Sequence, residues 1–437
     1  MPIWNAGEEC LDPEERAQLQ LERLQSTLTR AYKNVPLYRN RLQENGIGPA
    51  QIEMLTDLQH IPLTEREHFS ENYPYGLFAV PLRDVVRIHT AQGTALKPTV
   101  SGYTKQDLIV SRELVARALF AAGVSKTDIL QIDLDSGLIN WGRAYKDGAE
   151  AIESSVIPQT LLTPEKQLML LRDYKTSVLI TSLPAAMQML HLVFRANVNP
   201  NELALKTIIL VGEPPDPEMR ERLGDELHVK TWVHYGLSDV PGPAVAFECE
   251  ARQGLHVSED HFFPEVIDPA TGQAAPESEA GELVLTTLTT RAFPLVRFRT
   301  GDLVRFLSGP CRCGRTLARI EWLPSRTDEM AVIRGVKVNH QQILYLLEKT
   351  MGFLPQSYRL LIHSEELRDS LEVWLKVDDF IFSDEVKEME RLCLRLGKEL
   401  TQELGVPVKI RLKEEVSFQS LHPSNNIEDL RRKPPEP

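Results

Sequence analysis

Five cysteines in 437 residues, at positions 10, 249, 311, 313 and 393, are too few and too scattered for the disulfide framework of a small secreted protein. Basic residues are in deficit: 49 Lys and Arg face 62 Asp and Glu, a formal charge of −13. Phosphate backbones are gripped by clustered cations, so a general affinity for nucleic acid is not expected. Long apolar runs are missing too, and nothing approaches the roughly 18 uninterrupted residues of a membrane-spanning helix. The opening MPIWNAGEEC lacks the basic-then-apolar pattern of a signal peptide, which points to a cytoplasmic protein. No stretch repeats at a fixed period, so a solenoid is not expected.

What is present is an ordinary globular composition, 42% apolar and 25% charged. The length exceeds the roughly 250 to 300 residues at which one core stops growing, so two domains are expected, 1–326 and 327–437. Leu21, Leu24, Leu28 and Tyr32 recur at helical spacing behind Asp12 and Pro13, which predicts an amphipathic helix over 13–33. In the middle of the chain, strand-like runs such as TSVLITS and LKTIILVGE alternate with helical ones such as TPEKQLMLLRDY. That alternation predicts an α/β fold with a largely parallel sheet. LPSRTDEM interrupts it, and AVIRGVKV, YRLLIHS, LEVWLKV and VPVKIRL then predict a small α+β domain.

Several stretches carry a resemblance: KPTVSGYT, HYGLSDVPGPAVAFEC, GLHVSEDHFFPEVIDPATG, GELVLTTLTTRAFPLVRFRTGDL, CRCGRT and VIRGVKV. Over nearly its whole length the chain resembles the phenylacetate-CoA ligase branch of the acyl-adenylating superfamily. The resemblance implies a large acyl-adenylating-type domain joined by a hinge to a small mobile C-terminal domain. It also implies a two-step reaction, in which an aryl acid is joined to AMP at the expense of ATP and then passed to coenzyme A.

Residue roles follow from the same resemblance. In HYGLSD it places Tyr235 against adenine, Ser238 near phosphate and Asp239 at the magnesium position, with Gly236 beside the acyl pocket. The family usually has Glu where Asp239 stands; a carboxylate still suits magnesium but is one methylene shorter. Asp302 and Arg326 are implied to approach the ribose, Asp328 to be the hinge, and Gly335 to let backbone approach the pantetheine arm. Lys337 sits beside Gly335 where a basic group would meet an acidic partner. Taken alone, a Tyr-Gly pair is an ordinary strand end and turn, and Asp302 an ordinary loop carboxylate. His89 and His234 are candidates to carry a proton beside the acyl group, with a hydrogen-bonded structural role as the alternative.

Two departures bear on adenylation. Where relatives read roughly HASSGTTGKPT, this chain reads HTAQGTALKPT: Gly93, Thr94 and Lys97 remain, whereas Ala91, Gln92, Ala95 and Leu96 replace hydroxyls and a glycine. Loops of this kind hold phosphate with backbone amides and hydroxyls arranged as a nest. Near the C-terminus relatives carry a lysine in roughly RSEGKAKRV, but here Asn425 and Asn426 stand near that place and Lys433 lies too far along. Loss of one preorganised charge costs about 3 to 4 kcal/mol of transition-state stabilisation. Adenylation is therefore expected to be lost or very slow, and use of ATP and magnesium is doubtful.

Cys249, His256, Cys311 and Cys313 supply three sulfurs and an imidazole, a set that suits tetrahedral structural zinc. The resemblance supports it, since relatives carry such a cluster; four scattered buried residues are the alternative. In the acyl pocket the family's GLFTGGLG has become GLINWGR, so Asn140, Trp141 and Arg143 replace small groups. A bulkier, more polar wall is compatible with an aromatic acid such as an aminobenzoate, whereas apolar packing by Trp141 is the plain alternative. The expected function is transfer of an aryl group from aryl-CoA to the phosphopantetheine thiol of an acyl carrier protein, without ATP. An AMP-forming aryl-CoA ligase and a non-catalytic binding protein, in either case a homodimer candidate, are the alternatives.

Overall fold

A computed structural model describes residues 3–91, 97–134, 138–157, 162–240, 242–328, 330–353, 358–365, 368–376, 386–413 and 427–432. The chain forms two compact units: residues 1–91 and 99–327 make the first, and residues 328–437 with 92–98 make the second. None of the described helices is long and apolar enough to cross a membrane.

The first unit is organised on an eleven-stranded sheet. Its parallel part runs Lys230–Tyr235, Thr207–Leu210, Val178–Thr181, Ile129–Asp133, Ser155–Ile157. Helices Ile139–Ala151, Pro164–Asp173, Leu183–Arg195 and Pro217–Leu227 make the crossovers that parallel pairing requires. Ile132, Ile180, Ile209 and Trp232 share one face and bury against Trp141 and Tyr145 of the first of these helices. The other six strands, Ala246–Glu248, Leu255–Val257, Arg319–Arg326, Phe298–Leu307, Ala280–Thr287 and Phe262–Ile267, all pair antiparallel. The expectation of a largely parallel sheet is corrected: periodicity marks a strand but not the direction of its neighbour.

The helix Pro13–Asn34 forms as its spacing predicts, with Asp12 accepting from the Glu14 amide at 2.9 Å as N-cap and Leu24, Leu28 and Ala31 buried. In the parallel part the carboxyl ends of four adjacent strands, at Asp133, Thr181, Leu210 and Tyr235, line up on one edge. That edge is where open α/β sheets bind ligands.

The second unit opens with the hairpin Met330–Ile333 and Val336–Asn339. Its two-residue connection, Arg334 and Gly335, has φ of 52° and 73°. Two successive positive φ values define the turn that matches strand twist, and glycine takes the second at no steric cost. Arg334 is held there by its Nε, which donates to the Asp369 carbonyl at 2.8 Å. Four strands follow in the order Val408–Lys413, Arg368–Lys376, Tyr358–Glu365, Ile427–Asp429. Leu360, Ile362, Leu371, Val373 and Leu375 bury one face of this sheet against Ile343 and Leu347 of helix His340–Met351 and Leu396 and Leu400 of helix Val386–Leu404.

Candidate functional site

Tyr235 ends its strand fully buried, with its ring edge-on to Trp322 at 4.8 Å. Its hydroxyl donates to Asp302 Oδ2 at 2.9 Å, while Arg326 Nη1 donates to Asp302 Oδ1. A break in register between Asp302 and Val304 on one strand, with Gly301 at φ 76°, turns this carboxylate toward both partners. Burial first, and then the Asp302 carboxylate, push the Tyr235 phenol well above its usual range, so it remains a donor. Three residues assigned separately to adenine and ribose thus form one hydrogen-bonded group, and Asp302 has both oxygens engaged within the protein.

Four residues on, Asp239 is 1% exposed and forms an ion pair with Arg66 Nη1 at 3.0 Å. Arg66 Nη2 donates to the Thr300 carbonyl at 3.3 Å, which also receives Arg326 Nη2 at 2.8 Å. Gly236 lies between these groups in sequence, and a Cβ there would stand 2.5 Å from the Pro243 carbonyl oxygen, so only glycine allows that approach. Ser238 is half-buried in the turn that follows.

On the other sheet face, His234 is fully buried, its Nδ1 3.0 Å from the Tyr145 hydroxyl and its ring stacked on that phenol at 5.9 Å. Trp141, one helical turn before Tyr145, is also buried, Asn140 is half-buried and Arg143 is exposed. Trp141 belongs to the apolar cluster with Leu134, Leu138 and Ala144. His89 projects from the strand Val85–Ala91, half-buried, with its ring 4.8 Å from Tyr103. Burial, then Arg87 and Arg143, lower its pKa to about 4.

Burial lowers the pKa of His234 to about 3, so the folded protein keeps it neutral. An unfolded histidine titrates near 6.5, so between about pH 6.5 and 3 the unfolded chain binds the extra proton. Stability is lost as pH falls through that window, by about 2 kcal/mol at pH 5 from this group alone. Urea midpoints for wild type and His234→Asn should therefore diverge most above pH 6.5 and converge toward pH 5; parallel profiles would contradict it.

Cys249, His256, Cys311 and Cys313 come together, all buried, with their ligand atoms within 4.8 Å of one another. Cys249 Sγ is 3.6 Å from Cys311 Sγ, and Cys313 Sγ is 3.4 Å from His256 Nε2. Ligands about 2.0 to 2.3 Å from a tetrahedral zinc lie at such mutual distances, so the donor set fits the ion. His256 Nδ1 lies 3.3 Å from the Leu317 carbonyl, which fixes the tautomer that leaves Nε2 for metal. The Cys249 thiol, His256 and the Arg315 amide together hold the Cys313 thiol far below its usual range. Behind the cluster, Arg315 donates to buried Glu9, whose backbone carbonyl accepts from Thr316 at 3.1 Å.

In the second unit, Gly335 occupies the hairpin turn, and Lys337 is half-buried on the strand that leaves it. Asp328 follows Thr327, the last residue of the first unit, and Lys97 is exposed. Gln92, Gly93, Thr94, Ala95, Leu96, Asn425, Asn426 and Lys433 lie outside the described residues. Sequence reading missed Arg66 and Tyr145, which lie 173 and 89 positions from their partners, and no local spacing signals such pairs.

The family described as AMP-binding enzyme C-terminal domain matches residues 335–429. A phenylacetate-coenzyme A ligase of Thermus thermophilus is 40% identical over 418 residues, covering 92% of this chain and 94% of the relative. Its counterpart from Pseudomonas putida is 36% identical, covering 93% and 94%. Among solved structures, 2-hydroxyisobutyryl-CoA ligase in complex with 2-HIB-AMP and CoA superposes with a TM-score of 0.91, covering 98% of this chain and 93% of that one. At 22% identity this last likeness speaks to the fold alone.

Proposed function

The chain belongs to the phenylacetate-coenzyme A ligase family, and on that premise we propose that it joins an aromatic acid to coenzyme A through an acyl-adenylate. The observation that carries this reading is the Tyr235, Asp302 and Arg326 group at the carboxyl edge of the parallel strands. In it, Asp302 and Arg326 face the ribose and exchange their mutual bonds for hydroxyls when a nucleotide enters, and Tyr235 supports the adenine side. Asn140 and Trp141 shape the aryl wall together with Gly236, and a polar substituted benzoate fits that wall. His234 and His89, both neutral at pH 7, serve as packing and hydrogen-bonding groups rather than as acids. Zinc is held by Cys249, His256, Cys311 and Cys313 as a structural ion, because four protein ligands leave no open position. Gly335 and Lys337 border the pantetheine arm, Asp328 is the hinge, and the setting is cytoplasmic.

Aryl transfer from aryl-CoA to a carrier-protein thiol without ATP is the second reading. The names of the relatives speak for the ligase instead. What keeps transfer in view is the loop sequence at Ala91, Gln92, Ala95 and Leu96 and the asparagines at 425 and 426. Pyrophosphate exchange across a panel of aryl acids separates the two. The ligase reading expects acid-dependent exchange, slowed by about 10² to 10³ relative to a homologue with an intact loop and lysine. No exchange with any acid, together with ATP-free loading of a holo carrier protein from aryl-CoA, would transfer the assignment to the second reading.

A further inference from the structure

Asp239 is the carboxylate that the HYGLSD motif offers to magnesium, and the residues around it do not fit that ion. Magnesium demands oxygen ligands at about 2.0 to 2.1 Å in near-ideal octahedral array and keeps several waters. Asp239 is 1% exposed, and a guanidinium nitrogen of Arg66 stands 3.0 Å from its Oδ2. A guanidinium is a fixed positive charge, and a divalent ion on this carboxylate would press against it.

Arg66 is also held from its other sides. It is 8% exposed, its guanidinium lies over the Phe298 ring at 5.1 Å, and Nη2 reaches the Thr300 carbonyl at 3.3 Å. The same carbonyl takes Arg326 Nη2, and Arg326 Nη1 holds Asp302. Two guanidiniums and two carboxylates are therefore linked through one backbone oxygen, and each carboxylate already has its cation. We infer that Arg66 takes the place of the divalent cation at Asp239, as a protein-borne counter-ion that positions the HYGLSD turn against the strand Phe298–Leu307. The inference rests on the family reading only for the expectation it replaces, and it holds whichever thioester reaction the chain performs.

The test is binding of Mn²⁺, followed by loss of its free-ion EPR signal, to the full-length protein in the presence of a non-hydrolysable ATP analogue. Wild type and Asp239→Asn should bind Mn²⁺ alike, because the carboxylate contributes no ligand. Arg66→Gln should bind it at least about 10-fold more tightly than wild type, a gain abolished in Arg66→Gln/Asp239→Asn. Thermal unfolding run in parallel should show Mn²⁺ stabilising Arg66→Gln more than it stabilises wild type. The cysteine cluster is common to all variants and prefers softer ions, so it cancels. Tighter Mn²⁺ binding by wild type than by Asp239→Asn would overturn the inference. A folded Arg66→Gln protein that gains no Mn²⁺ would overturn it equally, and Arg66→Lys, which keeps a cation there, is the variant to use beside it if the glutamine protein does not fold: it should match wild type. Pyrophosphate exchange plays no part in these readings, so failure of the inference and failure of the ligase assignment remain distinct.

Discussion

Replacing Cys311 with serine should release stoichiometric zinc from the purified protein and lower its melting temperature by roughly 5 to 10 °C. Cys311 and Cys313 sit in the connection between the strands Phe298–Leu307 and Arg319–Arg326, whereas Cys249 directly follows the strand Ala246–Glu248 and His256 lies in the strand Leu255–Val257. Without an ion, three thiols and an imidazole are buried side by side in a small cluster that only Ala251 joins among the described residues. With it, the turn is bound to strands more than fifty residues earlier in sequence, and binding free energy becomes folding free energy. Serine offers a poor ligand of nearly the same size, so the change tests coordination rather than volume. Cys393, on a helix of the second unit, is the control: its serine variant should keep both metal content and melting temperature. A protein purified without zinc, whose melting point ignores the Cys311 change, would remove the metal from this account.

Replacing Arg117 with methionine should cost about 3 to 5 kcal/mol of stability, read as a shift in the urea midpoint. Arg117 is fully buried and donates to both oxygens of Asp260, at 2.8 and 2.9 Å. Its Nε also stands 4.0 Å from the buried Glu9 carboxylate. Although burial opposes it, His261 and Arg117 hold the Asp260 carboxyl well below its usual range, so removing the guanidinium strands a charge inside the protein. Adding Asp260→Asn to the methionine variant should recover much of the loss, because the stranded charge goes with it. Equal stability of the methionine variant and wild type would show that the pair is not what holds this part of the core.

Much of the architecture was legible in the sequence because periodicity and capping are local. The helix Pro13–Asn34 and the strands around Ile180 and Ile209 follow from residues within a few positions of one another. Sheet direction was not, because Ala246–Glu248 and Leu255–Val257 read as short apolar runs whatever their neighbour's orientation. The site divides in the same way. Tyr235, Asp302 and the four metal-site residues are singled out by the family resemblance rather than by local spacing, and they lie in the stretches that carry it. Their partners do not: Arg66 for Asp239 and Tyr145 for His234 are single residues in unremarkable helices or turns, chosen by three-dimensional proximity.

The bond between Glu9 and Arg315 joins residues 306 positions apart. On the ribosome, at about 5 to 20 residues per second, the acid emerges roughly 15 to 60 s before its cation. Throughout that interval the N-terminal segment has no Thr316 to accept from and no cysteine turn to lie against. Anchoring of the Glu9 segment is therefore a late event in synthesis, even though the helix Pro13–Asn34 finds its partners at Asp260 and Leu288 earlier, and a nascent chain arrested before residue 311 would present that segment still loose.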